Sequence, residues 1–264
     1  MKFSLLLPTL GTRENEINRL FDSLKKQTYR NFELIVVSQG NHKFIDETLR
    51  KYNFDYKHIT MNEKGISKAR NKGIPYITGD IMTLADDDGW YDEKAFETVK
   101  KYIEKYSPDV ACFKHYDPNK KEFPKKYPEI KMLNFSKSNV LRQSSFDVYV
   151  NISNVSDYKI GFDERFGVGG IYNSGEENIY LMDLYNSGYK KMCFFPEVIA
   201  YHPNKDCNYL DEKSFVAKGP LFRRLFGGVS GLPIFMAFGL KKSRQIDNFW
   251  RLYLKAINEF IKFK

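Results

Sequence analysis

Residues 81–91 read IMTLADDDGWY: four apolar residues, Ile81–Leu84, run directly into three carboxylates, Asp86, Asp87 and Asp88. A run of four apolar residues is the length of a buried strand and too short for a helix. A charged turn at its end then places the carboxylates at the strand's carboxyl edge. Three adjacent carboxylates raise one another's pKa unless a cation neutralises them. Alternate residues of an extended backbone share a face, so Asp86 and Asp88 are expected to point one way and Asp87 another. Two readings follow. The turn is either a site for Mg²⁺ or Mn²⁺, with a diphosphate completing the shell, or a solvated acidic loop capping the helix that begins near Asp92.

Similar runs recur on either side. Phe3–Leu7 ends at Pro8, Glu33–Val37 ends at Ser38-Gln39-Gly40-Asn41, and Tyr56–Thr60 and Asp109–Phe113 are further short strands. Between them Ile17, Leu20, Phe21 and Leu24 recur at helical spacing, as do Phe96, Val99, Tyr102 and Ile103. Phe44–Tyr52 and Gly65–Ile74 also read as helices. Strands alternating with helices predict an α/β fold with a mostly parallel central sheet flanked by helices. After Lys114 the pattern changes. Pro118, Pro124 and Pro128 punctuate a Lys-rich connection, and Asn139–Ile152 reads as an antiparallel-type segment. Gly175–Tyr189 is helical, and Lys190–Phe195 and Glu197–Tyr201 are strands around Pro196. Ligands in open α/β sheets bind at the carboxyl ends of the parallel strands. Pro8–Arg13, Ser38–Asn41 and Ala85–Trp90 all lie there, which favours the metal reading of the acidic turn.

Charge divides the 264 residues unevenly. Residues 213–264 hold eleven Lys and Arg against Asp247 and Glu259, which accounts for the whole formal excess of +9. The expected organisation is a main domain over 1–212, with a nucleotide-binding half (1–114) and an acceptor half (115–212), and a basic helical C-terminal appendage over 213–264. Interleaved with Leu, Phe, Ile and Trp, the appendage is either a surface for anionic lipid headgroups or a helical packing element with a solvated basic face. The balanced body speaks against nucleic acid. Cys112, Cys193 and Cys207 form no CxxC pair and read as reduced thiols. The N-terminus has too short an apolar run for a signal peptide, and no apolar stretch reaches the length of a membrane span. The expected location is the cytoplasm, with peripheral attachment to the inner face of the cell membrane if the tail meets lipid.

Several stretches together resemble one family, the family 2 inverting glycosyltransferases, which have the GT-A nucleotide-sugar-binding fold. They are Ser4–Gly11 (SLLLPTLG), Leu24–Val37 (LKKQTYRNFELIVV), Gly65–Gly73 (GISKARNKG), Gly79–Asp80, Leu84–Tyr91 (LADDDGWY), Gly161–Gly169 (GFDERFGVG), Ser174–Glu177 (SGEE) and Pro196–Pro203 (PEVIAYHP). The resemblance implies that Pro8 and Thr9 lie against the nucleotide base, with Arg13, Gln39 and Asp87 on the donor side. Gly65 and Arg70 would position the diphosphate and ribose. Asp86 and Asp88 would be the DxD element, with Asp88 the direct metal ligand, and His202 would be either a further ligand or simply hydrogen-bonded. Glu177 would be the catalytic base, and Glu176 would hold the acceptor or the base. Trp90 would stack on an acceptor sugar or pack beside the strand end. The chain departs from the family at Ser38 and Gln39, where an Asp usually reads the base, and at Asp183, where an Arg is common.

The implied reaction is a single displacement at the anomeric carbon, with Mn²⁺ or Mg²⁺ as cofactor and a UDP-sugar as the expected donor. The implied acceptor is a glycan or lipid-linked sugar of surface polysaccharide synthesis. Such a reaction needs no protein nucleophile, and the sequence offers no convincing Ser-His-Asp or Cys-His set. The competing readings are a nucleotidyltransferase, for which Thr9–Glu14 is a poor phosphate loop, and a non-catalytic nucleotide-sugar-binding scaffold.

Overall fold

The structure, a computed structural model, describes residues 1–204 and 210–264. Eight strands, β1 (Phe3–Thr9), β2 (Phe32–Ser38), β3 (Asp55–Thr60), β4 (Ile81–Leu84), β5 (Trp90–Tyr91), β6 (Val110–Tyr116), β7 (Val148–Asn151) and β8 (Met192–Tyr201), form one sheet in the order β3-β2-β1-β4-β7-β6-β8-β5. The first four are parallel to one another. Strand β7 runs antiparallel to both β4 and β6, and β5 antiparallel to β8. The helices are α1 (Glu14–Lys25), α2 (His42–Leu49), α3 (Ile66–Gly73), α4 (Ala95–Tyr106), α5 (Lys137–Val140), α6 (Glu176–Asn186), α7 (Glu212–Lys242) and α8 (Phe249–Lys262).

Alternation along the strands splits the core in two. Phe3, Leu5 and Leu7 pack with Ile17, Phe21, Phe96 and Val99 on the α1 and α4 face, while Leu6, Ile35 and Val37 pack with Ala69, Ile179 and Leu184 on the α3 and α6 face. Two prolines expected to end strands lie inside them. Strand β1 continues through Pro8 to Thr9, because β4 ends at Leu84, opposite Leu6. The N–H that Pro8 lacks would point to that unpaired side. Strand β8 likewise runs through Pro196, and its register against β6 shifts between Cys112 and Lys114 to absorb it.

Helices α7 and α8 build a third cluster around Phe215, Phe222, Phe235, Tyr253 and Phe260, while Leu221, Leu225 and Phe263 insert into the α6-side core. Among the described residues one helical stretch, Glu212–Gln245, is long and apolar enough to cross a membrane by length and composition. That length is not continuous. Gly227 has φ 75° and ψ 179°, a break that only glycine adopts readily, and the chain doubles back there. The rings of Phe222 and Phe238 are 5.2 Å apart, where a straight helix would separate them by about 24 Å. Helix α7 is therefore a hairpin of two limbs. Cys112 and Cys193 are free and buried; Cys207 lies outside the described residues.

Candidate functional site

Strands β1, β2 and β4 deliver their carboxyl ends to one cleft of ≈370 Å³. Its walls are Pro8, Thr9, Arg13, Gln39, Lys64, Gly65, Ser145, Gly169, Glu176, His202 and all three aspartates of the acidic turn. Of the residues singled out in the sequence, Arg70, Glu177 and Trp90 do not line it. Pro8 and Thr9 reach it as the last residues of β1. The Gln39 side chain accepts the Gly65 N–H at 2.6 Å and so ties the end of β2 to the start of α3. Gly65 lies directly against the loop before α6: a Cβ on Gly169 would come within 2.9 Å of the Gly65 Cα.

The acidic turn meets basic side chains from three directions. Arg13 Nη1 donates to Asp87 Oδ1 at 2.9 Å and to Asp88 Oδ2 at 2.6 Å. His202 Nε2 is 3.0 Å from Asp88 Oδ1, and Arg70 Nη2 donates to Asp86 Oδ1 at 3.1 Å. The expected sharing of a face by Asp86 and Asp88 gives way to a different pairing, in which Asp87 and Asp88 share Arg13. Strand geometry stops at Leu84, and a turn follows over Asp87 and Asp88, so the alternation rule no longer governs them. The turn is tight at Gly89, where any Cβ would meet the Phe146 ring at 2.2 Å. Burial pushes the Asp87 carboxyl up, and the Thr9 hydroxyl, 2.6 Å away, and Arg13 work against it.

Arg70 is fully buried and therefore acts on the cleft through others. It donates to Glu176 Oε1 at 3.0 Å and to Ser145 Oγ at 3.0 Å as well as to Asp86, joining α3, the acidic turn and α6. Its position in the ARNKG stretch gave no hint that its partners lie 16 and 106 residues away. Behind Glu176, Glu177 has a buried oxygen, Oε2, with no hydrogen-bond partner. Burial, reinforced by the charge of Glu176, pushes its carboxyl up to about 8. Lys218, from the first limb of α7, reaches this corner, with Nζ 3.5 Å from Ser174 Oγ. Trp90 stands in a neighbouring hollow, with the Arg19 guanidinium 3.8 Å over its ring and the Tyr201 ring 5.7 Å away.

Three arrangements escaped the sequence reading. Ser38 Oγ sits between His42 Nδ1 at 2.6 Å and His58 Nε2 at 2.7 Å, at the end of β2. Asp147 is fully buried against His115 Nδ1 at 2.7 Å and Lys125 Nζ at 2.5 Å. Burial pushes the Asp147 carboxyl up, but the Lys125 charge and the hydrogen bonds from Lys125 and His115 more than offset it. Asp183 is held by both terminal nitrogens of Arg224, at 2.9 and 2.6 Å, so α7 supplies the arginine that the α6 sequence lacks. Only the clustering of basic residues in the tail could have signalled that last pairing.

Among the described residues no group of three or more His, Cys, Asp or Glu side chains is arranged to hold a metal ion. Asp88 and His202, 3.0 Å apart, nevertheless supply one oxygen and one nitrogen donor facing the cleft. That pair fits Mn²⁺ or Mg²⁺ if a diphosphate and water complete the shell.

A family model described as glycosyl transferase family 2 matches residues 4–155. The glycosyltransferase GlyA of Streptococcus pneumoniae is 31% identical over 124 residues, which are 46% of this chain and 18% of that protein. A glucosyl-dolichyl phosphate glucuronosyltransferase of Haloferax volcanii is 30% identical over 116 residues, 42% of this chain and 37% of that one. The matched segment thus spans well under half the length of either relative. Among solved structures, S. aureus TarS 1–349 in complex with UDP-GlcNAc superposes with a TM-score of 0.74 at 18% identity, covering 99% of this chain and 81% of that one. The mannosyltransferase PcManGT from Pyrobaculum calidifontis, in complex with GDP-Man and Mn²⁺, gives 0.65 at 12% identity, covering 99% and 87%. Matched in sequence over residues 4–155 and in backbone over nearly its whole length, the chain belongs to glycosyl transferase family 2 and has the GT-A fold.

Proposed function

We propose that this protein transfers a sugar, with inversion, from a nucleotide-sugar donor, a UDP-sugar, to a glycan or lipid-linked acceptor in surface polysaccharide synthesis. The observation that carries the reading is the cleft itself. The ends of β1 and β2 and the acidic turn face Glu176 across one space, with Glu177 next to it on α6, an arrangement that suits a diphosphate leaving group and a base on opposite sides of an anomeric carbon. A UDP-GlcNAc complex of TarS and a GDP-Man complex of PcManGT show that this fold accepts such donors.

The acceptor oxygen bonds to the anomeric carbon as the carbon–phosphate oxygen bond breaks. The acceptor proton passes to a carboxylate, and the electron pair leaves with the nucleoside diphosphate. Glu177 is the better proton acceptor of the two glutamates. Glu176 is neutralised and held by Arg70, while Glu177 has an unpartnered oxygen and a carboxyl near 8, poised close to working pH. Glu176 faces the cleft and positions the acceptor. Arg13 and Lys64 line the diphosphate end and offset its growing charge. Asp88 and His202, with Asp86 on the ribose side, would hold Mn²⁺ or Mg²⁺, which when bound supplies Lewis-acid stabilisation of the leaving group.

Thermal stabilisation by a panel of nucleotide sugars, with Mn²⁺ or with EDTA, followed by donor hydrolysis, tests the reading. The expected result is stabilisation by a UDP-sugar and slow hydrolysis, both lost in Asp88→Asn. Stabilisation without any turnover would favour a binding scaffold, and turnover indifferent to EDTA would remove the metal from the mechanism.

A further inference from the structure

The second limb of α7 turns an uncharged face outward. Between Val229 and Leu240 the exposed positions include Ser230, Pro233, Ile234 and Met236, and none of the exposed positions there carries a charge. Val229 is 92% and Leu240 50% exposed. A helix face that meets water over three turns ordinarily carries Lys, Glu or Arg. On α8, Trp250 and Leu254, one turn apart, are 66% and 65% exposed. The apolar residues of the tail are thus sorted: Phe222, Phe235 and Phe249 turn inward to hold the hairpin together, while these others stand largely exposed.

A rim of cations follows directly. Lys241, Lys242 and Arg244 make no ion pair among the described residues, whereas Arg224, Arg251 and Lys255 are engaged with acidic partners. The free cations stand at the carboxyl end of the uncharged face. This arrangement selects its occupant. A second copy packed on this face offers the rim no carboxylate, since none lies between Val229 and Arg244, whereas an anionic bilayer presents phosphate to the rim and hydrocarbon to the face. Length sets the depth. Each limb of the hairpin is about 22 Å long, short of the roughly 30 Å hydrocarbon core.

We infer that the outer face of residues 229–240, with Trp250 and Leu254 beside it, docks the protein on an anionic membrane surface, lying in one leaflet without crossing the bilayer. The apolar side chains enter the boundary between headgroups and acyl chains, and Lys241, Lys242 and Arg244 meet the phosphates. The docking face stands apart from the transfer reaction, since vesicle binding is read without donor or acceptor.

The test floats the full chain with vesicles of phosphatidylcholine alone or mixed with phosphatidylglycerol, at low and high salt. Binding to the anionic vesicles is expected to exceed binding to the neutral ones by about tenfold or more and to weaken with salt. A variant combining V229D, M236D and L240D should lose it. A second variant combining K241Q, K242Q and R244Q should lose roughly fivefold per charge removed. UDP binding, unchanged in both, shows that each is folded. Equal binding to both vesicle types, or full binding by the Asp variant, overturns the proposal. So does a wild-type dimer in light scattering that the Asp variant converts to monomer without any vesicle binding. Resistance to carbonate extraction from cell membranes would overturn the one-leaflet geometry.

Discussion

Asp86, Asp87 and Asp88 meet three basic side chains, Arg13, Arg70 and His202, while across the cleft Glu176 pairs directly with Arg70, and Glu177 beside it has Lys218 nearby but no hydrogen-bond partner for Oε2. As sequence the two acidic runs look alike. On the proposed function their surroundings suit them to opposite tasks, the turn to holding cations and Glu177, with an unpartnered oxygen and a carboxyl near 8, to taking a proton. What distinguishes a cation-binding carboxylate from a base is therefore the number of counter-charges around it, which adjacent residues do not reveal.

Arg70 contacts both runs, so removing it is the severest way to break the contrast. Arg70→Met leaves Asp86 and Glu176 facing a buried gap without their cation. A loss of about 3–5 kcal/mol in urea unfolding is expected. A loss below about 1 kcal/mol would mean the two carboxylates find other partners and the contrast is not maintained by Arg70.

Glu177→Gln keeps the shape and removes the proton acceptor. Turnover should fall roughly a hundredfold or more with UDP-sugar affinity unchanged. In the wild type, kcat/KM should rise with pH and level off above about 8, because the base must be ionised. If Glu176→Gln shows the larger loss in turnover and the same pH limb, the roles of the two glutamates are reversed.

Arg13 sharpens the other side of the comparison. Its guanidinium occupies Asp88 Oδ2, so a divalent ion must compete with it. Arg13→Ala should bind Mn²⁺ alone about threefold more tightly by titration calorimetry, a modest gain because Arg13 is partly exposed, and should bind UDP more weakly. Weaker Mn²⁺ binding would make Arg13 a support for Asp88 and not its competitor.

The sheet was legible because its signals are local. Ile81–Leu84 and Glu33–Val37 read as strands by run length, and helix spacing placed Ile17, Leu20 and Leu24 on the core side. The order of short motifs also brought Thr9, Gln39, Asp88 and Glu176 to one cleft. What stayed hidden depends on partners distant in sequence. Pro8 looked like a strand end because its tolerance rests on where β4 stops. The engagement of Arg224 with Asp183 bridges α6 and α7, and Ser38 between His42 and His58 exists only once β2 and β3 are paired. The tail read as one apolar and basic composition, and only the break at Gly227 separates residues turned inward from residues left outside.

The smallest expected effect concerns stability and carries the sign of the Glu177 shift. A glutamate whose folded-state pKa lies near 8, above the 4.5 of an unperturbed carboxyl, favours the fold when protonated. That contribution is present in full below about 4.5 and is lost as pH rises toward 8. Glu177→Gln mimics the protonated form at every pH. Its melting temperature should exceed that of the wild type by about 2 °C at pH 8, or roughly 0.5–1 kcal/mol, since the buried amide still lacks a partner. At pH 5 the variant should fall below the wild type, because the amide's missing partner costs the same there while the wild-type carboxyl is protonated in the fold. A variant equally stabilised at both pH values would owe its gain to packing, and one destabilised only at pH 8 would show that Glu177 is held as a charged partner, closing the gap between the two acidic runs.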